Sequence, residues 1–372
     1  MDSAELEWIA WTNPITTTFG TEVAASDLSG RTVACHQHIT PDSICIVGPL
    51  LTAGARVRMA PCNPDSTDDR AATHLASMGV EIRGHAGMST AERADALAWL
   101  ASEPADALCD MGGELIAVAV EAGYRPSGAL EATTTGLHRL TGVDIPFPVL
   151  DWNGIALKDL IHNRHHVGAE TWPAFTAITG LSLYGREIVV VGFGPVGQGV
   201  ALRARDLGAN VTVVDRDPVR LVQAQHHGCR VADLGGAVRR ASVIVTATGF
   251  DGVIGAADRA PRRRRDPHEC RSQQPRIDVD WLDQHPHTDL RQHLELYEVN
   301  GQRVYLLNRG SLVNLAAGLG TGAPQLFDPF AAIMLLGLDA ILQGRTADLS
   351  AGVQRYPAQL ENRVARALVD SI

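Results

Sequence analysis

Residues 188–197 read Ile188-Val189-Val190-Val191-Gly192-Phe193-Gly194-Pro195-Val196-Gly197, and this stretch decides the fold. A run of β-branched residues, the composition of a buried strand, leads into Gly-x-Gly-x-x-Gly. A helix-like segment follows at 198–207, then a second apolar strand, Val211-Thr212-Val213-Val214, which ends in Asp215. That order is the dinucleotide-binding βαβ unit. The first glycine makes the tight turn, the second lets backbone approach a pyrophosphate, and the third lets helix and strand pack closely. The helix N-terminus offers unpaired N–H groups and the positive end of its dipole to the phosphates. Asp215, about 23 residues beyond Gly192, is placed to accept hydrogen bonds from the adenosine ribose hydroxyls. A carboxylate there repels a 2′-phosphate, so NAD is favoured over NADP. An ordinary strand–turn–helix corner also satisfies a lone glycine pattern, but both flanking strands and the acid argue against it.

At 372 residues the chain has room for two domains of ordinary size. Its 45% hydrophobic and 20% charged content is that of a soluble globular protein. No apolar run is expected to reach the length of a membrane span. The N-terminus, Met1-Asp2-Ser3-Ala4-Glu5, is acidic and lacks the shape of a signal peptide. Cys35, Cys45, Cys62, Cys109, Cys229 and Cys270 form no CxxC pair and no metal spacing, so buried thiols in a reducing cytoplasm are expected. A net charge of −10 argues against a nucleic-acid binder, although Arg262-Arg263-Arg264-Arg265 is a local basic run.

Ahead of the glycine loop, strand-like and helix-like segments alternate. Strands are expected at 32–35, 57–60, 80–82 and 107–110, with helices at 43–53, 68–78 and 89–102. The last begins Ser89-Thr90-Ala91-Glu92, the pattern of a capping box. The alternation implies an α/β fold of two doubly wound parallel-sheet domains, the second a Rossmann NAD-binding domain. A helical segment at 170–183 leads into the cofactor unit. The expected division is therefore a substrate-binding domain at 1–171, to which 324–372 returns, and an NAD-binding domain at 172–323. The second is expected to continue through strands at 241–246 and 304–307.

Several separated motifs resemble S-adenosyl-L-homocysteine hydrolase, over nearly the whole chain. His38-Ile39-Thr40 is similar to its His-Met-Thr, and Cys62-Asn63-Pro64-Asp65-Ser66-Thr67-Asp68-Asp69 to its Cys-Asn-x-x-Ser-Thr-Gln-Asp. Asp110-Met111-Gly112-Gly113-Glu114 resembles Asp-Asp-Gly-Gly-Asp, and Glu131-Ala132-Thr133-Thr134-Thr135-Gly136 resembles Glu-Glu-Thr-Thr-Thr-Gly. Lys158 followed by His162-Asn163 resembles Lys-x-x-x-Asp-Asn, and Ser311-Leu312-Val313-Asn314-Leu315 resembles Arg-Leu-Val-Asn-Leu. The segment 192–199 is similar to Gly-Tyr-Gly-Asp-Val-Gly-Lys-Gly.

The resemblance implies a homo-oligomer, dimer or tetramer, with tightly held NAD and a hinge closing two domains over a small-molecule nucleoside substrate. It implies oxidation of the ribose 3′-hydroxyl, which acidifies the C4′ hydrogen. Elimination of the 5′-thiolate, addition of water and reduction follow. By position, Thr133, Thr134, Thr135, Asn163, Gly192, Gly194, Pro195, Val196, Gly197, Gln198, Gly199, Asp215 and Asn314 would hold NAD. Thr40 and Lys158 would contact the ribose, with Lys158 holding or taking the hydroxyl proton. If the local chain is helical, Lys158 sits one turn before His162, so both can face one cleft. His162 then joins the substrate-binding and catalytic set as a base. His165 and His166 beside it suggest a metal, but no partner-ligand pattern supports one, and none is expected.

The departures from the family fall on chemistry. Met111, Ala132 and His162 replace acids, and Ala323 replaces a histidine. Loss of one proton-transfer group typically lowers a rate by a factor of ~10²–10⁴, so three losses argue against efficient hydrolysis. Two alternatives follow: an NAD-dependent nucleoside oxidoreductase or epimerase, or an inactive NAD-binding homologue. The chain also ends without the C-terminal arm that in the family reaches a neighbour's NAD.

Residues 259–276 lack strand or helix periodicity, where the family carries a strand and Asn-x-Gly-His. The reading from the residues is a stretch translated one nucleotide out of frame. Codons for Glu269-Cys270-Arg271-Ser272-Gln273-Gln274-Pro275, entered one base later, can spell Asn-Val-Gly-His-Ser-Asn-Arg. Sequencing the gene checks this: the shifted frame is expected to give Asn-x-Gly-His, and any other reading there removes the idea.

Overall fold

The structure, a computed structural model, describes residues 1–249, 253–254, 277–316 and 323–371. The out-of-frame segment proposed above lies outside the described residues. The chain forms two compact units, Met1–Lys158 with Ala323–Ile372, and Asp159–Gly322.

The first unit is built on a parallel sheet whose strands in chain order are β1 (Thr32–Gln37), β2 (Arg56–Pro61), β3 (Glu81–Ile82), β4 (Ala107–Asp110), β5 (Gly128–Glu131) and β6 (Pro148–Asp151). Across the sheet they run β3-β2-β1-β4-β5-β6, and a C-terminal strand, Gly352–Arg355, pairs with β6. Strand order therefore reverses between β1 and β4. In such a sheet the crevice outside the C-terminal strand ends at the reversal is the natural ligand site.

Near-continuous burial along β1, β2, β4 and β5 follows from helices on both faces. One face packs Val33, Cys35, Met59, Cys109 and Leu130 against the helix Pro324–Leu342. The other packs Ala34, Ala60, Leu108 and Ala129 against Leu100, Ile116 and Phe147. The capping box at Ser89 forms: the Ser89 hydroxyl accepts the Glu92 N–H, and the Glu92 carboxylate accepts the Ser89 N–H.

The helix Pro324–Leu342 corrects one expectation, since over its 19 residues it is long and apolar enough to cross a membrane. It lies buried through the middle of the first unit instead. Two buried acids mark it as a core helix. Asp328 accepts the N–H groups of Ile15 and Thr16 at 2.8 Å, capping the helix Pro14–Ala24, and Asp339 accepts from Gln343 and pairs with Arg345.

The second unit holds a parallel sheet of β7 (Glu187–Val191), β8 (Asn210–Val214), β9 (Arg230–Val231) and β10 (Val243–Thr246), in the order β10-β7-β8-β9. Its reversal falls between β7 and β10. The strand expected at 304–307 does not extend this sheet. It belongs to an antiparallel meander of β11 (His287–Arg291), β12 (Leu294–Val299) and β13 (Gln302–Leu307). The tight link Asn300-Gly301 between β12 and β13 has positive φ at both residues, the geometry a two-residue hairpin requires.

The helix Val167–Thr179 belongs to the second unit, which puts the division at Lys158/Asp159 rather than near residue 171. Its reason is a close backbone approach to the helix Pro195–Asp206. A Cβ on Gly168 would lie 2.4 Å from the Gly199 carbonyl, and Trp172 Nε1 donates to the Val200 carbonyl at 3.0 Å. Gly168→Ala is expected to destabilise the second unit by about 2 kcal/mol through this overpacking. Chemical denaturation measures it. A neutral result would show that the two helices are free to separate.

Candidate functional site

At the reversal in the second unit the chain leaves β7 through Gly192, whose φ of 97° is left-handed. A Cβ there would lie 2.7 Å from the Ala247 carbonyl oxygen. Gly194 is extended and opens the helix Pro195–Asp206, with Pro195 in its first turn and no side chain capping it. A Cβ on Gly197 would sit 1.9 Å from the Gly192 carbonyl oxygen, so the helix packs on the turn only because that position is bare. Val196 is half-buried beside it. The uncapped N–H groups and the empty space of the loop fit a pyrophosphate.

Asp215 Oδ2 accepts the Phe193 N–H at 2.5 Å and Oδ1 accepts the Asp217 N–H at 2.9 Å. Each oxygen keeps a second acceptor site for a ribose hydroxyl. Arg220 Nη1 stands 3.7 Å from Asp215 Oδ2, a neighbour that the glycine motif does not foretell. Gln198 Nε2 donates to the Phe193 carbonyl and to Gln223, while its buried Oε1 has no hydrogen-bond partner among the described residues. A Cβ on Gly199 would lie 2.0 Å from the Arg164 carbonyl oxygen and 3.2 Å from that of Asn163, so the bare position admits the segment carrying Asn163. Asn314 lies in the short turn Val313–Leu315, its Nδ2 a long 3.5 Å from Glu170 Oε2.

A cavity of about 310 Å³ lies between this sheet and the helix Leu234–Val238, lined by Glu187, Thr212, Arg230 and Arg239 among others and by no residue of the glycine loop. It is not the cofactor crevice, which by strand direction must lie at the C-terminal ends.

In the first unit the C-terminal edge gathers most of the motifs. His38 follows β1, and its Nδ1 lies 2.5 Å from Ser66 Oγ. Ser66 donates its one hydroxyl proton to the Asn63 carbonyl at 2.9 Å, so it accepts from His38. Nδ1 therefore carries the hydrogen, and Nε2 presents a lone pair. Burial, with Lys158 and then His36 as like charges, lowers the His38 pKa from 6.5 to about 4. His38 is thus a neutral imidazole at neutral pH.

Thr40 donates its N–H to Ser43 Oγ at 3.1 Å. Lys158 Nζ lies 5.5 Å from the ring centroids of both Trp152 and Phe330, a cation–π arrangement. Met111 and Ala132 are buried, 7% and 5% exposed, and continue β4 and β5 as apolar groups.

Glu131 ties the neighbouring loops together. Its buried carboxylate accepts the N–H groups of Gly112, Gly113 and Thr133 and the Thr133 hydroxyl. Thr133 Oγ1 also accepts the Gly136 N–H, so most of its capacity is used within the loop. Thr134 Oγ1 accepts from Asn153 at 3.2 Å and is exposed, and Thr135 is half-exposed.

The segment Leu157–His166 is a π-helix, which closes hydrogen bonds i→i+5. The local chain is thus helical, and in this wider winding one turn from Lys158 ends between His162 and Asn163. His162 Nδ1 lies 3.4 Å from Asn163 Oδ1, and its ring meets His166 edge-on at 5.9 Å. Among the described residues no three His, Cys, Asp or Glu side chains gather as metal ligands.

His38, Ser66 and Glu131 sat inside quoted motifs without assigned roles. Only Ser66, 28 residues from His38, could reveal the tautomer, and the sequence does not pair them.

These features define an α/β protein with a glycine cradle at the sheet reversal of one unit and, in the other, a buried neutral His38 under the charge of Lys158. Residues 15–135 match the family described as S-adenosyl-L-homocysteine hydrolase, and residues 174–320 match its NAD binding domain. An S-inosyl-L-homocysteine hydrolase of Methanopyrus kandleri is 32% identical over 93% of this chain and 84% of its own. One from Methanothermobacter thermautotrophicus is 30% identical over 92% and 85%. An adenosylhomocysteinase of Thermotoga maritima is 30% identical over 99% and 94%. The chain belongs to the S-adenosyl-L-homocysteine hydrolase family of enzymes, and its cofactor is NAD.

The depressed pKa of His38 has a consequence for stability. The unfolded chain binds a proton below about 6.5 that the native state refuses until about 4. The native state is therefore favoured above that window and loses about 1.4 kcal/mol per pH unit on descending through it. His38→Gln is expected to flatten the fall between pH 7 and pH 5 by about 1–2 kcal/mol, read from urea midpoints. Identical slopes in both proteins would show that His38 is not buried neutral.

Proposed function

We propose that this chain acts on a nucleoside thioether, S-adenosyl-L-homocysteine or its inosyl counterpart, through transient oxidation at the ribose 3′-carbon. Bound NAD supplies a hydride acceptor for that carbon, and the ketone so formed makes the C4′ hydrogen removable. The observation that carries this reading is the neutral His38, its Nε2 lone pair set by Ser66, within electrostatic reach of Lys158 at the strand-order reversal.

Lys158, kept in place by the Trp152 and Phe330 rings, holds the 3′-hydroxyl and, as the free amine left once it has given up its own proton, receives that of the hydroxyl. His38 Nε2 takes a proton from carbon or delivers one to the leaving group. Thr40 orients the sugar. In the second unit the Gly192–Gly199 segment, Asp215 and Asn314 hold the cofactor, joined by Asn163. Among Thr133, Thr134 and Thr135, which the resemblance also assigns to NAD, the last two have hydroxyls less committed to internal bonds than that of Thr133. His162 is the further titratable group assigned to the substrate.

A second reading has one specific support. Met111 and Ala132 are buried apolar groups where the resemblance puts acids, so oxidation at C3′ can outlast the loss of elimination. The chain would then be a nucleoside oxidoreductase or epimerase.

Purified protein mixed with S-adenosyl- or S-inosyl-homocysteine tests both. Growth of the reduced-nicotinamide absorbance with release of homocysteine thiol is expected for the first reading, and the absorbance without thiol for the second. Neither signal with either substrate overturns both, leaving an inactive NAD-binding homologue. Lys158→Met is expected to slow cofactor reduction by a factor of ~10²–10⁴ while NAD stays bound.

A further inference from the structure

Two residues before His38, near the C-terminal end of β1, His36 is wholly buried. Its Nδ1 lies 3.0 Å from Asp110 Oδ1, and its Nε2 lies 3.9 Å from Glu114 Oε2. The other Asp110 oxygen accepts the Ile116 N–H at 2.9 Å, which fixes the carboxylate in place. His36 Nε2 has no hydrogen-bond partner among the described residues. A lone pair aimed at the Glu114 carboxylate would be repelled, whereas an N–H there is attracted. The ring is thus flanked by an acid at each nitrogen.

The groups around this ring come from every element packed against it. Asp110 ends β4, and Glu114 opens the helix Glu114–Glu121. Arg93 and Arg139, from the two neighbouring helices, both pair with Glu114, and Glu131 on β5 faces Asp110, burial and the Asp110 charge raising its pKa. His38 meets a hydroxyl and the Lys158 ammonium instead. The His36 charge is among the causes that depress His38, and carboxylates stand beside His36 and not beside His38.

We propose that His36, clamped between Asp110 and Glu114, holds the proton of this pair and is the positioning residue that keeps His38 a neutral base. The proposal rests on the reading of His38 as a proton-transfer group. It adds a residue that never touches substrate and acts through its charge.

Full-length protein labelled with ¹⁵N-histidine tests it, with ring-nitrogen spectra followed from pH 4 to pH 8 and His36 and His38 assigned by substitution. Both His36 nitrogens are expected to carry hydrogen at neutral pH, and His38 only Nδ1. In His36→Gln the His38 midpoint is expected to rise from about 4 by roughly one unit, with the acid limb of activity moving alike. Glu114→Gln, which leaves Asp110 paired, is expected to shift it the same way by less. An unmoved His38 midpoint in a folded variant overturns the proposal. So does a neutral His36 ring in the unmodified protein, a result that needs no variant to fold. Loss of the functional reading would appear separately, as unmodified protein that neither reduces NAD nor releases thiol.

Discussion

Parallel strands deliver all their C-terminal loops to one edge, and glycine-rich loops there leave backbone N–H groups without ladder partners. Each unit meets this constraint with a carboxylate at a strand end. Glu131 accepts the Gly112 and Gly113 N–H groups and holds Thr133, while Asp215 accepts the Phe193 N–H in the glycine cradle. Buried acids in these positions set the shape of the loops that would meet ligand. Burial and the Asp110 charge push the Glu131 pKa up, and the loop donors pull it the other way. A side chain at Gly136 would collide with this same carboxylate. The loop sequence and the acid are therefore one solution, not two.

The chemistry follows from how proton donors and acceptors are shared out along that edge. Ser66 has a single proton and spends it on Asn63, which fixes His38 as donor at Nδ1 and acceptor at Nε2. Two aromatic faces hold the Lys158 ammonium close by. Met111 and Ala132, which follow β4 and β5, are buried apolar side chains with no acceptor oxygen. On the function proposed above, apolar volume there would spare redox at carbon more than it spares expulsion of a thiolate.

Much of the architecture was legible before the fold was seen. The β7–glycine–helix–β8 unit was readable because its parts are contiguous and each glycine has a steric task. Strand β4 was read with its observed bounds, and the capping box at Ser89 with both partners, because those signals act within a few residues. Strands β5 and β6, four buried residues each, escaped because so short an apolar run has no period to read. The antiparallel meander was misjudged because a single strand does not announce the direction of its neighbour. The segment Leu157–His166 was read as helical, but its π winding was not legible, since its residues suit either winding.

The sequence by itself determined the family, the cofactor and the identities of the lysine, the histidines and the glycines, because these reside in local order and spacing. Only the tertiary structure decided which nitrogen of His38 is free, which acids enclose His36, and why Gly168 and Gly199 must be bare. Those facts depend on atoms tens of residues apart in the chain. Proton positions and close backbone approaches are fixed by what folding brings alongside.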